Sequence, residues 1–265
     1  MTWAGRCCII AGLLSLVGCV ASSGVVVREH NKGRHSLVVR GSGDPTVILE
    51  AGLGGDLSVW SDVLGPVSEF TRVLAYNRAG YGRSKSESAH RDGLTAVDEL
   101  RSLLRALHIP PPFVLVGHSL GGQYVELFAR TFPEETAGVV FVDARHVDFS
   151  DRCRPEGVER CETPGYVRLF MPAAARAELL GTSATEAQIR AAGPFPNVPF
   201  RVLSATQRPE NMPNLRRLWA ESQADLVLLG EQGQQEICEA CGHFIQRDDP
   251  ERVIKAIRDV IDSAR

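Results

Sequence analysis

The sequence shows no strong excess of either charge and no long apolar run. Its 265 residues contain 29 lysines and arginines against 32 aspartates and glutamates, which gives a net charge of −3. No basic stripe stands out, and this argues against a nucleic-acid partner. Internal repeats, low-complexity tracts and long polar linkers are also lacking. With 44% hydrophobic residues, the chain suits one large α/β domain better than two small ones.

The most apolar segment near the start, Cys7–Val17, is too short to span a bilayer comfortably and indicates an export signal. The residues at 16–19, Leu-Val-Gly-Cys, resemble the lipobox of bacterial lipoproteins. That resemblance implies a signal peptide over 1–18, an acylated Cys19 and attachment to the surface of a bacterial membrane. Cleavage near Ala21, which would leave a periplasmic or secreted protein, and an uncleaved anchor are alternatives. The sequence does not choose between the two bacterial membranes.

Cysteines are few once the leader is set aside. Four of the seven stay in the body of the protein: Cys153, Cys161, Cys238 and Cys241. An even number in an exported domain suggests disulfides, and proximity favours Cys153 with Cys161 and Cys238 with Cys241 among three connectivities. The second pair would also suit a redox site or half a metal site, although no further cysteine pair completes a zinc set.

The body alternates short apolar runs with amphipathic segments of helical spacing. Strands are predicted at 25–27, 36–40, 45–49, 72–76, 113–116, 138–143, 200–204 and 235–240. Helices are predicted in 60–70, around Val97 to Leu107, up to Thr131, at 215–224 and from Pro250 onward. Parallel strands separated by helices predict an open α/β sheet whose site lies at the carboxyl ends of the strands.

Between about 144 and 199 the pattern changes to alanine-rich helical pieces with several prolines. One piece carries a capping-box signature at Ser183–Glu186, which predicts a helix start there. This segment follows the sixth predicted strand. We therefore predict a helical lid insertion over the carboxyl ends of the strands.

The stretch around Ser119 combines a strand, a sharp turn and a helix. Phe113–Val116 is apolar, and 117–121 reads Gly-His-Ser-Leu-Gly, which fits the G-x-S-x-G pattern. Small residues two positions before and after the serine allow the backbone to bend tightly. The pattern predicts Ser119 as a nucleophile, with the free N–H groups of the following helix directed at an oxyanion.

Three segments together resemble the α/β-hydrolase fold: Leu49–Gly55, Gly117–Gly122 and Gly242–Ile245. The resemblance extends from about Val25 to Arg265 and implies a mostly parallel sheet flanked by helices. It also implies that the backbone amides of Leu53 and Leu120 form an oxyanion hole. The loop at 77–80 reads Asn-Arg-Ala-Gly where the family usually has Asp-Arg-x-Gly; we expect the asparagine to keep the hydrogen-bonding shape.

A nucleophilic serine needs a histidine base that a carboxylate orients. The resemblance assigns the base to His243, which follows the last predicted strand, while His118 reads as a packing residue and His146 as a weaker alternative base. The usual loop for the acid, after 200–204, offers only Glu210. Asp143 ends a buried strand, where a histidine N–H would pair with it. We favour Asp143 and keep Glu210 as the alternative acid.

These residues predict a serine hydrolase that cleaves a carboxylic ester or related small acyl substrate through an acyl-enzyme on Ser119. No metal or organic cofactor is implied. Dehalogenase and epoxide-hydrolase chemistry on this fold uses an aspartate at the sharp turn where this chain has Ser119, the nucleophile elbow, so the serine argues against both. Acyl transfer to an alcohol, carbon–carbon bond hydrolysis, lactone opening, peptide cleavage and a non-catalytic, membrane-tethered binding role are alternatives. The sequence leaves the acyl chain length and the oligomeric state open.

Overall fold

A computed structural model describes residues 24–86, 88, 90–157, 165–208 and 212–265. These residues build one twisted sheet with strand order β1-β2-β4-β3-β6-β7-β8-β9, and β5 pairs with β2. Strands β3, β4 and β6 to β9 run parallel, while β1, β2 and β5 add an antiparallel edge. The strands are β1 Val26–His30, β2 Gly33–Arg40, β3 Thr46–Glu50, β4 Val73–Tyr76, β5 Lys85–Ser86, β6 Phe113–His118, β7 Thr136–Val142, β8 Phe200–Ala205 and β9 Gly233–Cys238.

Helices cover both faces of this sheet. They are α1 Ser61–Val67, α2 Gly93–Ala106, α3 Leu120–Thr131, α4 Phe149–Cys153, α5 Gly165–Phe170, α6 Ala173–Ala191, α7 Pro213–Leu226, α8 Ile245–Asp248 and α9 Pro250–Ser263. Alternate strand residues enter opposite cores: Val47 and Leu49 pack on the side of α1 and α9, and Ile48 packs on the side of α2 and α3. Burial on both faces explains why the strands are continuous apolar runs. The predicted fold class is confirmed.

The segment between β7 and β8 holds α4, α5 and α6, and its role as a lid stays a prediction. The insertion was predicted after the sixth strand, and this number was wrong because the unpredicted strand β5 makes β7 the seventh. Strand β5 is only two residues long and pairs through its backbone with Gly33 and Arg34, so it has no apolar pattern that could have predicted it. The boundary predicted at Ser183 was also wrong, since Ser183–Glu186 lies inside α6. The hydroxyl of Thr185 instead accepts the Gly93 N–H at the start of α2.

The predictions for the leader lie outside the described residues, and so do Cys161 and Glu210. Signal peptide 1–18, acylation of Cys19 and the pairing of Cys153 with Cys161 therefore stay predictions. Within the described part of the chain, no helix has the length and apolarity needed to cross a membrane. Cys238 and Cys241 form a disulfide with their Cα atoms 5.3 Å apart.

Candidate active site

Ser119 lies at the turn between β6 and α3, in a backbone conformation that residues other than glycine rarely adopt. Its φ is 52° and its ψ is −120°; such strain costs about 1–3 kcal/mol and persists only where the surroundings enforce it. A Cβ on Gly121 would lie 2.5 Å from the carbonyl oxygen of Glu50. The glycine therefore lets α3 start directly against the end of β3. The Ser119 carbonyl accepts the N–H of Arg145 at 2.9 Å, which ties the turn to the end of β7.

Asp143 follows β7 and is completely buried, with a φ of 42°. Its Oδ2 accepts the Nδ1–H of His243 at 2.6 Å, and its Oδ1 accepts the indole N–H of Trp219 at 3.0 Å. The Ala205 N–H also donates to Oδ1 at 3.2 Å, and Arg208 Nη2 donates to Oδ2. Burial raises the pKa of Asp143, but the His243 bond, the Arg208 charge and the Trp219 bond outweigh it and hold the pKa below the ordinary value.

The structure thus brings Asp143 to His243, and both Ser119 and His243 line the same cavity. Arg208 and Trp219 were missed by the sequence reasoning. Arg208 occupies the loop after β8, where the resemblance led us to look for the acid. The only sequence signal for a role of Arg208 was its place in this loop, where an acidic residue was expected. Trp219, on α7, shows no pattern that separates it from core residues.

His118 precedes Ser119 and packs beneath His243. It is buried, its Nε2–H donates to the His243 carbonyl at 2.8 Å, and the two rings lie 4.6 Å apart. Burial, reinforced by His243, lowers its pKa to about 3, so the ring is neutral at neutral pH. His118 therefore holds the loop that carries His243. His146 is buried and accepts the Asp148 N–H, and it is not among the cavity-lining residues.

The loop after β3, which carries Leu53, is fixed by the buried Arg78. Its guanidinium donates to the carbonyls of Ala51 at 2.6 Å and Gly52 at 2.9 Å. Arg78 also pairs with Glu50 and with Glu178 of α6, each at 2.6 Å. These bonds connect the predicted oxyanion loop to the helix that covers the cavity.

Asn77, where the family pattern has aspartate, makes two hydrogen bonds of opposite kind. Its Oδ1 accepts the Leu57 N–H at 2.7 Å, and its Nδ2 donates to Ser36 Oγ at 3.0 Å. A carboxylate would not donate the second bond. The asparagine therefore fits its surroundings as it stands.

Two cavities meet at Ser119. The larger, of about 400 Å³, lies between α4, α6 and α7, and the smaller, of about 310 Å³, lies beside the loop after β3. Leu53, Ser119 and His243 line both, and Leu120 lines the larger. The site therefore offers two separate spaces, both of which reach Ser119.

One cluster of potential metal ligands occurs in the described part of the chain. The sulfurs of Cys238 and Cys241 and a carboxylate oxygen of Asp249 lie within 4.8 Å of one another. Metal binding by cysteine requires thiolates, and the disulfide removes both. Asp249 also accepts the Arg252 N–H as the cap of α9. The cluster is therefore structural in this oxidised form.

Comparison with known proteins places this geometry in a family. Residues 47–256 match the alpha/beta hydrolase family. The chain belongs to the alpha/beta hydrolase family. The uncharacterized protein YqjL of Bacillus subtilis (strain 168) is 29% identical over 227 residues, which cover 85% of this chain and 87% of that protein. The family prediction is confirmed.

Two solved structures show the same fold at low sequence identity. The malate-bound thermophilic esterase from Thermogutta terrifontis has a TM-score of 0.69 and 20% identity, covering 91% of this chain and 99% of that one. The enol-lactonase from Burkholderia xenovorans LB400 has a TM-score of 0.63 and 19% identity, covering 89% and 100%. At these identities, both similarities support the fold and not a shared activity.

Proposed function

We propose that this alpha/beta hydrolase is a serine enzyme that cleaves a carboxylic ester or related acyl compound through an acyl-enzyme on Ser119. The observation that carries the proposal is the 2.6 Å contact between His243 Nδ1 and the buried Asp143 carboxylate, beside a cavity that Ser119 also lines. A buried carboxylate in that position fixes the histidine tautomer and leaves Nε2 to accept a proton.

The chemistry follows the general scheme for acyl transfer. Ser119 Oγ attacks the carbonyl carbon while its proton passes to His243 Nε2, and the resulting oxyanion accepts the N–H groups of Leu53 and Leu120. The ester C–O bond then breaks as the alcohol takes the proton, and water repeats the sequence to release the acid. Asp143 stabilises the imidazolium of His243 that forms in both steps, acylation and deacylation. Each oxyanion donor is worth about 3 kcal/mol in such sites.

The elbow residue narrows the reaction class. A serine forms an acyl-enzyme with esters and lactones alike, since a lactone is a cyclic ester. Opening of an epoxide on this fold relies on an aspartate at position 119, and the serine argues against it. Ester and lactone hydrolysis are therefore the activities to assay first.

A fluorophosphonate probe together with p-nitrophenyl esters tests the proposal. We expect wild type to be labelled and to release p-nitrophenol, and Ser119→Ala to do neither. Ser61→Ala, at an exposed serine in α1, serves as the control and should behave as wild type. Absence of both labelling and turnover in folded wild type would refute the proposal.

We also propose that the mature chain begins at Cys19 and is held at a bacterial membrane by acyl chains. The lipobox-like residues 16–19 and the apolar Cys7–Val17 support this location. Cys19→Ser should move the protein from the membrane fraction to the soluble fraction, whereas Cys8→Ser in the leader should not. Unchanged fractionation of Cys19→Ser would contradict the anchor.

A further inference from the structure

The larger cavity beside Ser119 is lined by several arginine side chains. Four of its lining residues are arginines, and none of the lining residues among those described is an aspartate or glutamate. The arginines are Arg145, Arg154, Arg168 and Arg208. Three of the arginines have a carboxylate nearby that does not line the cavity: Glu186 for Arg145, Asp151 for Arg154 and Asp143 for Arg208. The apolar side chains of Leu179 and Trp219 in the same lining lower the local dielectric and strengthen the field of the arginines. A cavity of this kind favours an anionic occupant.

Arg208 lines the cavity and contacts both Asp143 and Trp219. Its Nη2 donates to Asp143 Oδ2, its guanidinium lies 4.4 Å over the Trp219 ring, and its side chain is 12% exposed. Its Nε is buried, and neither Nε nor Nη1 has a hydrogen-bond partner among the described residues. Buried donors without partners are costly unless a ligand satisfies them.

Arg145 lies beside the nucleophile, because its N–H binds the Ser119 carbonyl. Its Nη2 donates to Ser150 Oγ at 2.7 Å and lies 3.8 Å from Glu186, and its guanidinium stacks 4.8 Å from the Phe149 ring centre. Its Nε is also buried without a partner in the described chain. Burial lowers the pKa of Arg145, an effect that Glu186 opposes, and this shows the cost of enclosing the charge.

In the proposed scheme the proton passes between Ser119 and His243, and neither arginine takes part in that transfer. Arg208 shares the Asp143 carboxylate with His243, and this competes with the charge pairing that an imidazolium needs. Buried N–H donors of Arg145 and Arg208 that lack an acceptor are unfavourable in the empty site and become favourable once an anion accepts their hydrogen bonds.

We propose that the substrate carries a carboxylate or phosphate group in addition to its scissile ester, and that Arg145 and Arg208 bind this anion in the larger cavity. The inference rests on the proposed function and specifies its substrate class. The half of the ester that bears the anion occupies the cavity of about 400 Å³, and the other half occupies the cavity of about 310 Å³.

The test compares matched esters that differ only in charge. One pair is mono-p-nitrophenyl glutarate and p-nitrophenyl valerate, in which the acyl chain does or does not end in a carboxylate. A second pair places the carboxylate or a methyl group on the alcohol half. We expect kcat/KM to be at least about tenfold higher for the anionic member of one pair, the effect of one charge-assisted hydrogen bond.

Variants assign the effect to the arginines. Arg145→Gln and Arg208→Gln should each lower the ratio of anionic to neutral kcat/KM by about tenfold or more, and Arg145→Lys should retain part of it. The ratio does not depend on the folded fraction of a preparation. Arg105→Gln, at an exposed arginine of α2 that does not line this cavity, should leave the ratio unchanged.

Inhibition distinguishes the two anions. Succinate or inorganic phosphate should compete with neutral-ester hydrolysis in wild type, and Arg145→Gln should weaken that competition; the stronger competitor identifies the group. Equal kcat/KM within both ester pairs, or a preference that survives both glutamine variants, overturns the inference while leaving ester hydrolysis intact. Failure of every ester and of the fluorophosphonate probe would instead refute the proposed function.

Discussion

Replacing Asp143 by asparagine tests the proposed acid most directly. The side chain keeps its shape but gains an N–H₂ group, so His243 loses the carboxylate that fixes its tautomer. We expect turnover of p-nitrophenyl esters to fall about 10⁴-fold, which corresponds to about 5.5 kcal/mol at 1.36 kcal/mol per tenfold. Glu210→Gln, at the alternative acid, should retain near wild-type turnover.

The same substitution also removes the counter-charge of Arg208. Leaving an enclosed charge unpaired costs about 3–5 kcal/mol, and the 12% exposure of Arg208 places the expected loss of unfolding free energy at the lower end of that range. Asp143→Asn/Arg208→Gln should recover most of the stability in urea unfolding but none of the turnover. If Asp143→Asn kept more than about a tenth of wild-type kcat while Glu210→Gln lost activity, the assignment of the acid would be wrong.

Three further outcomes follow from buried groups. Burial lowers the pKa of His118 to about 3 from 6.5, so on acidification this histidine is protonated in the unfolded chain before it is protonated in the folded one. Its contribution to the free energy of unfolding is therefore complete above pH 6.5 and falls as the pH drops, by about 2 kcal/mol at pH 5. Urea unfolding at pH 7 and pH 5 checks this, and an equally steep loss in His118→Gln would contradict it. Glu178→Gln, which weakens the pairing of Arg78, should cost about 3 kcal/mol in unfolding free energy and lower kcat. Gly121→Ala should abolish folding or labelling because its Cβ meets the Glu50 carbonyl, whereas Gly65→Ala, with open space around it, should raise Tm slightly.

Much of the fold could be predicted from the sequence because its signals are local. The two-sided burial of β3 appears as the run Val47–Leu49, and the stripe of α9 appears as apolar residues at helical spacing. The elbow was readable because a turn that brings α3 against β3 demands glycine at fixed positions. Such requirements fall within a few residues of one another.

The rest depends on contacts between distant residues, which no local pattern encodes. Arg208 and Trp219 reach Asp143 from 65 and 76 residues away, and Arg78 meets Glu178 across 100 residues. The capping-box signature at Ser183–Glu186 misled for the same reason. There Thr185 serves the start of α2, a helix 92 residues earlier in the chain.

The anchoring of α6 by Glu178 has a consequence for altering this enzyme. Leu179, Leu180, Thr182 and Ser183 follow Glu178 on the same helix and form one wall of the larger cavity. Glu178 itself is buried against Arg78 and fixes where that wall stands. A combinatorial library at the four wall positions would therefore reshape substrate scope on an unchanged frame, provided that position 178 is never randomised.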